Sequence, residues 1–142
     1  MDLALKAAET AGKSGEVPIG CVIVRDGAVV ASAGNRTVTD RDPTAHAEVL
    51  ALREAAAKLG SERLTDCDLY VTLEPCTMCA GAISFARIRR LYYGAADPKG
   101  GAVESGVRFF ASATCHHTPE VYSGMGEREA AALLMEFFKA RR

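Results

Sequence analysis

The close alternation of strand-like and helix-like segments is the feature that most constrains the fold of this chain. Apolar, β-branched runs at residues 19–24 and 28–33 flank Asp26-Gly27, a dipeptide typical of a tight hairpin. Two more apolar runs, at 69–73 and 91–93, are predicted strands with a helical segment between them. A strand, a helix and a second strand in this order predict a parallel crossover. We therefore expect a mixed sheet with helices on both faces.

The helical segments complete the expected layers, and they are predicted at residues 2–11, 45–59, 76–86 and 127–139. Gly12 and Gly60 are predicted to end the first and second helices. A short strand at 121–122 should join the sheet, and loops are expected at 35–43 and, rich in glycine, at 97–105. The inward face of the last helix is predicted to hold Ala130, Leu133, Leu134, Phe137 and Phe138.

Size and composition are those of an ordinary globular protein. The 142 residues are 49% hydrophobic and 25% charged, so we expect one domain over residues 1–142. No run approaches the ~18 apolar residues of a membrane span, and the first residues do not resemble a signal peptide. We therefore expect a cytoplasmic protein without a membrane partner. Because the net charge is −1, any nucleic-acid binding needs a local basic patch.

Three residues have the chemistry of soft-metal ligands: His46, Cys76 and Cys79. The two cysteines lie three residues apart at a predicted helix start, where they can share a face and where the helix dipole favours thiolates. His46 also lies at a predicted helix start. Two thiolates and an imidazole suit a tetrahedral zinc ion with water in the fourth position. A Cys-x-x-Cys pair alone is equally compatible with a redox pair or half of a structural zinc site.

A structural zinc site needs a fourth protein ligand. The candidates do not lie at ligand spacing from the first three, and they are Cys21, Cys67, Cys115, His116 and His117. Cys21 lies in a predicted strand and is expected in the core. The Cys115-His116-His117 segment is expected to be a surface loop rather than a second metal site.

Glu48 changes the interpretation of the three ligands. It follows His46 by two residues, so on a regular helix the two side chains do not chelate the same ion. A carboxylate beside zinc-bound water forms a hydrolytic pair, because zinc lowers the pKa of the water and the carboxylate moves its proton. The structural alternative for Glu48 is a favourable charge in the first turn of a helix.

His46-Ala47-Glu48 and the segment from Pro75 to Cys79 together match the signature of the zinc-dependent nucleobase deaminases. Over almost its whole length the chain most resembles the bacterial tRNA-specific adenosine deaminases, a family of the cytidine/deoxycytidylate deaminase superfamily. The stretches that carry this resemblance are residues 15–20, 34–35, 44–48, 69–82, 87–90, 97–102 and 137–139.

The resemblance implies a three-layer α/β/α fold of the cytidine deaminase type, with a five-stranded mixed sheet between helices. It implies one Zn²⁺ per chain, bound by His46, Cys76 and Cys79. The implied reaction is the hydrolytic deamination of adenosine to inosine at the wobble position of a tRNA anticodon, expected to be that of an arginine tRNA. The family also implies a homodimer that binds the anticodon stem-loop across both subunits.

Residue roles follow from the same resemblance. Glu48 would take a proton from the zinc-bound water, protonate the purine ring nitrogen and help ammonia leave. Asn35 matches the position that hydrogen-bonds the flipped base, and the backbone of Ala47 is expected to stabilise the reacting water or the base.

Contacts to RNA are predicted from two basic regions, which a solvated surface would also explain. The first holds Arg87, Arg89, Arg90 and Lys99, and the second holds Lys139, Arg141 and Arg142. From these regions we expect Lys99 and Lys139 to bind the substrate, and we expect the neighbouring Phe138 to bind it as well. One alternative is a deaminase of free guanine, cytosine or cytidine with the same zinc site. The other is a non-catalytic, zinc-stabilised RNA-binding module, in which Glu48 would have no role in proton transfer.

Overall fold

One mixed β-sheet organises the protein, as seen in a computed structural model that describes residues 1–141. Within those residues the sheet has five strands: β1 (Gly20–Arg25), β2 (Ala28–Gly34), β3 (Cys67–Leu73), β4 (Arg90–Ala95) and β5 (Glu120–Ser123). Their order is β2-β1-β3-β4-β5. β1 pairs antiparallel with β2 and β3, whereas β4 pairs parallel with β3 and β5. The predicted hairpin and the predicted parallel crossover are both confirmed.

Helices cover both faces of this sheet. They are α1 (Asp2–Lys13), α2 (Ala47–Leu59), α3 (Thr77–Phe85) and α4 (Glu127–Lys139). α1 packs with α4 on one face, and α2 packs with α3 on the other. The three-layer α/β/α arrangement is therefore confirmed. Between residues 1 and 141, no helix combines the length and the apolar character needed to cross a membrane.

The helix α1 lies directly on β1, which explains its stripe of small residues. Ala4, Ala8 and Ala11 are buried on that face. A Cβ atom on Gly20 would lie 2.0 Å from the carbonyl oxygen of Ala4 and 2.6 Å from the backbone nitrogen of Ala8. Only glycine allows this approach, so the sequence at the start of β1 sets the depth at which α1 packs.

Four helix boundaries differ from the sequence-based expectation, the smallest difference being the end of α3 at Phe85 rather than at residue 86. The prediction that Gly12 ends α1 is wrong, because the helix continues to Lys13 and the chain turns at Gly15 with a φ of +87°. α2 and α3 begin after His46 and Cys76, respectively, because both residues have extended backbone and serve as N-caps. The two proposed ligands therefore lie just outside their helices.

The inward face of α4 is narrower than predicted. Ala130 is buried, and Leu133, Leu134 and Phe137 are partly buried. The prediction that Phe138 faces the core is wrong, since its side chain is 49% exposed. Adjacent helical residues point about 100° apart, so a narrow stripe cannot bury both rings.

The strand directions bring three connecting segments to one edge of the sheet. β2, β3 and β4 run the same way, because β2 and β3 both lie antiparallel to β1 and β4 lies parallel to β3. Their carboxyl ends lead into Asn35, residues 74–76 and residues 96–105. Ligands of open α/β sheets bind at this edge, and all the residues predicted for the chemistry follow these strands.

Candidate active site

The predicted ligand residues meet at the carboxyl edge of the sheet. His46 at the N-cap of α2 and Cys76 at the N-cap of α3 are partly exposed, and Cys79 in the first turn of α3 is fully buried. The Nδ1 atom of His46 lies 3.7 Å from the Sγ of Cys76 and 3.5 Å from the Sγ of Cys79. Among residues 1–141 these three form the one group of metal-ligand type whose donor atoms all lie within 4.8 Å of one another.

The geometry of the group fits a tetrahedral zinc ion. With Zn–S bonds of about 2.3 Å and Zn–N bonds of about 2.0–2.1 Å, a tetrahedron has N···S edges of about 3.6 Å. The two observed edges, 3.5 and 3.7 Å, lie on either side of that value. Two sulfurs and one imidazole nitrogen also form the donor set that zinc prefers when one position is left for water.

The two thiols are strongly coupled. A hydrogen bond from the Cys79 thiol lowers the pKa of Cys76 to about 5, while the same bond, with burial, raises the pKa of Cys79. The pair therefore keeps one shared proton and one negative charge at neutral pH. A dication bound between them would displace that proton, since the thiolate is the form that ligates metal.

Glu48 lies in the first turn of α2, and its side chain is 4% exposed. Burial raises the pKa of Glu48 to about 7, and the nearby Cys76 thiolate adds to the rise. A carboxylate with a pKa near the working pH can both accept and return a proton. The position and environment of Glu48 thus match proton transfer better than a surface charge that stabilises a helix.

Asn35 and Ala47 are linked by a hydrogen bond. The backbone N–H of Ala47 donates to the Oδ1 of Asn35 at 2.9 Å, and both side chains are buried. This bond orients the Asn35 amide, which offers its Nδ2–H groups as donors to a ligand. The N–H of Ala47 is therefore engaged within the protein, and any contact of this residue with the base or water must come from another backbone atom.

The other cysteines and histidines lie outside the site. Cys21 and Cys67 are buried in the hydrophobic core, which confirms the core assignment of Cys21. The Cys115 thiol donates to the carbonyl of His117 at 3.1 Å, and the Nε2 of His117 lies 2.7 Å from the carbonyl of Ile88. Together with a hydrogen bond of 2.7 Å from the Ser84 hydroxyl of α3 to the carbonyl of His117, these contacts give Cys115 and His117 structural partners.

Two buried glutamates beside the site were not predicted from the sequence. Glu16 accepts the N–H of Val38 at 3.2 Å, and it accepts the N–H and hydroxyl of Thr39 at 2.7 and 2.6 Å. Burial alone would raise the pKa of Glu16, but these hydrogen bonds more than offset it and the pKa is lowered. Glu16 thus fixes the segment between Asn35 and His46.

The second of these glutamates, Glu74, directly precedes Pro75 and Cys76 and is 2% exposed. Its carboxylate holds residues 97–105, which we call the pocket loop. Burial would raise the pKa of Glu74, but backbone N–H donors from this loop outweigh it and the pKa is lowered. Neither glutamate belongs to a recognisable sequence motif, because the groups that donate hydrogen bonds to them lie 22 to 31 residues away in the chain.

The residues predicted to contact RNA are exposed. Lys99 lies at the tip of the pocket loop, and Phe138 and Lys139 lie at the end of α4. Phe137 lines a groove with Gly12 and Pro18, which precede the start of β1. This end of α4 therefore lies at the same sheet edge as His46, Cys76 and Cys79, which we call the metal group. Arg141 stacks on the ring of Phe137 at 3.6 Å, and Arg142 lies outside the described residues.

The first basic region does not form a single patch. Arg89 pairs with Asp68 through two bonds of 2.9 Å, and Arg90 pairs with Glu120 at 2.8 Å. Both arginines lie where β4 begins, whereas Lys99 follows its end. The six residues of β4 separate them by ~20 Å. Arg87 also precedes the start of β4, so Lys99 is the one member of this region near the site.

The fold and the site together define a class of zinc-binding hydrolase, and comparison with known proteins agrees. Residues 1–95 match the family model described as the cytidine and deoxycytidylate deaminase zinc-binding region. Zinc is thus the cofactor that both the family and the His-Cys-Cys group indicate.

The particular family follows from full-length relatives. The chain is 65% identical to a tRNA-specific adenosine deaminase of Agrobacterium fabrum, with 100% of this chain and 93% of that protein covered. A solved structure from a study of A-to-I editing by tRNA:A34 deaminases at the wobble position has a TM-score of 0.93 and 66% identity, and covers 94% of this chain and 97% of that chain. A guanine deaminase from Nitrosomonas europaea has a TM-score of 0.78 at 26% identity, covering 96% and 81% of the two chains. The chain belongs to the tRNA-specific adenosine deaminases of the cytidine and deoxycytidylate deaminase family.

Proposed function

We propose that this protein hydrolyses adenosine to inosine at the wobble position of a tRNA anticodon, consuming one water and releasing one ammonia. The observation that most directly supports this proposal is the buried carboxylate of Glu48 beside the His-Cys-Cys group, in a chain 65% identical to a tRNA-specific adenosine deaminase. We expect an arginine tRNA as substrate. With a tRNA substrate, we also expect the protein in the cytoplasm.

The metal ligands in this proposal are His46, Cys76 and Cys79. Zinc bound there supplies a Lewis acid that brings the pKa of water toward neutrality. The thiolates carry the charge that neutralises the dication, and both lie at the N-terminus of α3, where the helix dipole favours negative charge. His46 turns its Nδ1 atom toward the sulfurs, which makes that nitrogen the ligand atom.

Glu48 is the proposed catalytic acid and base. A carboxylate oxygen of Glu48 accepts a proton from the attacking water and delivers it to the purine ring nitrogen beside the attacked carbon. A second proton, from the hydroxyl of the addition product, passes by the same oxygen to the departing amino group, which leaves as ammonia. Burial raises the pKa of Glu48, which helps the carboxyl group to return a proton as well as to accept one.

Asn35 is the proposed partner of the flipped base. Its Oδ1 is held by the N–H of Ala47, so its Nδ2–H groups are presented in a fixed direction. A base that is removed from its stack is recognised by such fixed polar groups. Ala47 contributes by orienting Asn35, and its own side chain is buried.

The proposed RNA contacts lie at the same edge of the sheet as the metal group. Lys99 and Lys139 are exposed cations that can meet backbone phosphates, and Phe138 has an exposed ring that can stack on an unpaired base. These chemistries are the ones an anticodon loop offers, because its bases are single-stranded and its phosphates are close together.

A homodimer is the proposed assembly, with its contact at an apolar groove between α2 and α3. Val49, Leu52 and Ala56 of α2 and Ala82 and Phe85 of α3 line the groove. Phe85 is 76% exposed in the single chain. An exposed aromatic ring in an apolar groove is typical of a subunit interface. Phe85→Ser should shift the mass measured by light scattering from dimer to monomer, while the exposed Val107→Ser serves as the control.

The second candidate function is deamination of a free base, which the likeness to a guanine deaminase favours. Incubation with an anticodon stem-loop, and separately with guanine, cytosine and cytidine, distinguishes the two. We expect mass analysis of the RNA to show one adenosine converted to inosine. Ammonia release from free guanine with unchanged RNA would establish the alternative.

A further inference from the structure

The pocket loop lies against the metal group. Gly101 forms an isolated antiparallel bridge with Cys76, and the N–H of Ala102 donates to the carbonyl of Pro75 at 2.9 Å. The middle of the loop is thus attached to the chain segment that carries a proposed metal ligand. Lys99 lies at the exposed tip, two residues before this attachment.

Glu74 holds both ends of the same loop. At the first end, its Oε1 accepts the N–H of Asp97 at 3.0 Å. At the second end, its Oε2 accepts three successive N–H groups at 3.1, 2.9 and 2.9 Å, from Val103, Glu104 and Ser105. The hydroxyl of Ser105 donates to Oε1 at 2.9 Å. One buried carboxylate therefore receives five donors from a single loop.

Only an ionised carboxylate matches this set of donors. Glutamine has a single acceptor oxygen, and its amide N–H groups would face the loop's N–H groups. Hydrogen bonds to a charged acceptor are also stronger than neutral ones. The five contacts thus act as one clamp that depends on the charge of Glu74.

The clamp leaves no space between the loop and the carboxylate. A Cβ atom on Gly101 would lie 2.5 Å from the carboxyl carbon of Glu74 and 2.6 Å from the carbonyl oxygen of Asp97. The loop backbone is therefore wrapped on Glu74 at the point where it also pairs with Cys76. The location of Lys99 therefore depends on the conformation of this loop backbone.

We propose that Glu74 is a positioning residue that holds the pocket loop in place against Cys76 and so fixes Lys99 for binding of the RNA substrate. The proposal rests on the function proposed above. A loop already ordered in the free protein does not lose that conformational entropy when the substrate binds. Glu74 therefore acts on substrate affinity, while the chemistry stays with Glu48 and the metal ligands.

Glu74→Gln tests the clamp, and Glu9→Gln, the same change at an exposed position on α1, is its matched control. For both variants and the unmodified zinc-loaded protein we would measure zinc per chain, hydrogen exchange of the loop amides and single-turnover kinetics on an anticodon stem-loop. Glu74→Gln should raise the half-saturating RNA concentration ~2–10-fold, the size of the cost of ordering a flexible side chain and its loop on binding, with the rate at saturation within about threefold. The amides of residues 97 and 103–105 should exchange faster while those of β1 and β3 stay protected. Glu9→Gln should behave like the unmodified protein.

Each other result has a definite meaning. Unchanged affinity or unchanged loop exchange in Glu74→Gln overturns the proposal, as does loss of zinc, which would show that Glu74 acts on the metal group. If the unmodified protein makes no inosine, the proposed function fails, but the exchange measurement still tests the clamp. Should Glu74→Gln not fold, Ser105→Ala removes one of the five donors. It should then give faster loop exchange and a few-fold weaker affinity, and no change in either quantity overturns the proposal.

Discussion

The metal group and the proposed RNA surface differ in how firmly the fold holds them. His46, Cys76 and Cys79 lie at two helix starts, with their donor atoms already at the edge lengths of a zinc tetrahedron. Lys99, Phe138 and Lys139 are exposed. The difference indicates that the fold fixes the donor atoms of the metal group, whereas at the proposed RNA surface it fixes the backbone, as in the clamped loop of Lys99, and leaves the side chains in solvent. Substitutions should therefore abolish function at the metal group and only weaken it at the RNA surface.

Loss of a buried ligand should have the largest effect. Cys79→Ala removes a fully buried sulfur from a site with three proposed protein ligands. We expect zinc to fall well below one ion per chain and inosine formation to disappear, since hydrolysis at this site depends on the ion. Metal analysis and RNA mass analysis check this, with the non-ligand Cys115→Ala as control. Full zinc content in Cys79→Ala would show that the ligand set is wrong.

Glu48→Gln should retain the metal and lose turnover. The amide keeps the size of the side chain but cannot accept the proton of the attacking water. A general acid–base group contributes ~10²–10⁴-fold, so we expect a loss at least that large in the single-turnover rate, with one zinc per chain retained. A rate within a few-fold of the unmodified protein would assign proton transfer to another residue.

Asn35 allows a binding role to be separated from a structural one. Asn35→Asp keeps the Oδ1 acceptor for the N–H of Ala47 but removes the Nδ2–H donors, whereas Asn35→Ala removes both. We expect ~10–100-fold lower kcat/KM on the stem-loop in both variants. Only Asn35→Ala should lose about 1–3 kcal/mol of unfolding free energy, because it leaves a buried N–H without a partner. Normal kcat/KM in Asn35→Asp would show that Asn35 is purely structural.

The same contrast explains what could be predicted from the sequence. The metal group follows from short motifs whose spacing and helix position fix the side-chain direction, so His46, Cys76, Cys79 and Glu48 meet as predicted. Glu74 could not be found, because its role exists only once β3 and the pocket loop are folded together.

Two predictions based on closeness in the sequence differ from the structure. Arg89, Arg90 and Lys99 are close in the chain, but β4 runs between them and acidic partners neutralise both arginines. Phe137 and Phe138 are adjacent and apolar, yet the helical rotation exposes the second ring. In both cases the geometry of one regular element, the length of β4 or the rotation of α4, determines where the side chains lie.

Glu16 should make the segment before His46 sensitive to acid. The lowered pKa of Glu16 means that its ionised form stabilises the folded state at pH values above its ordinary pKa of 4.5, and that this stability is lost as the pH falls through the lower, folded-state pKa. The protection factors of the amides of residues 38 and 39, that is, their intrinsic exchange rates divided by their measured rates at each pH, should therefore fall below about pH 4.5. Glu16→Gln should show lower protection factors already at neutral pH and little further change on acidification. Parallel pH profiles in the two proteins would contradict this assignment.

The smallest effect is expected at the end of α4. Lys139 is exposed, whereas Arg141 is partly occupied by its stacking on Phe137, so Lys139 is the cation more available to a phosphate. Lys139→Ala should raise the Kd for the stem-loop a few-fold and make the log–log salt dependence shallower by ~0.7, the value for one contact with single-stranded nucleic acid. The single-turnover rate at saturating RNA should not change, because the proposed zinc ligands and Glu48 lie on other elements. Lys58→Ala is the control, since Lys58 is equally a helical lysine but pairs with Glu54 on α2. An unchanged salt slope in Lys139→Ala would exclude this end of α4 from the RNA surface and leave Lys99 as its remaining proposed cation.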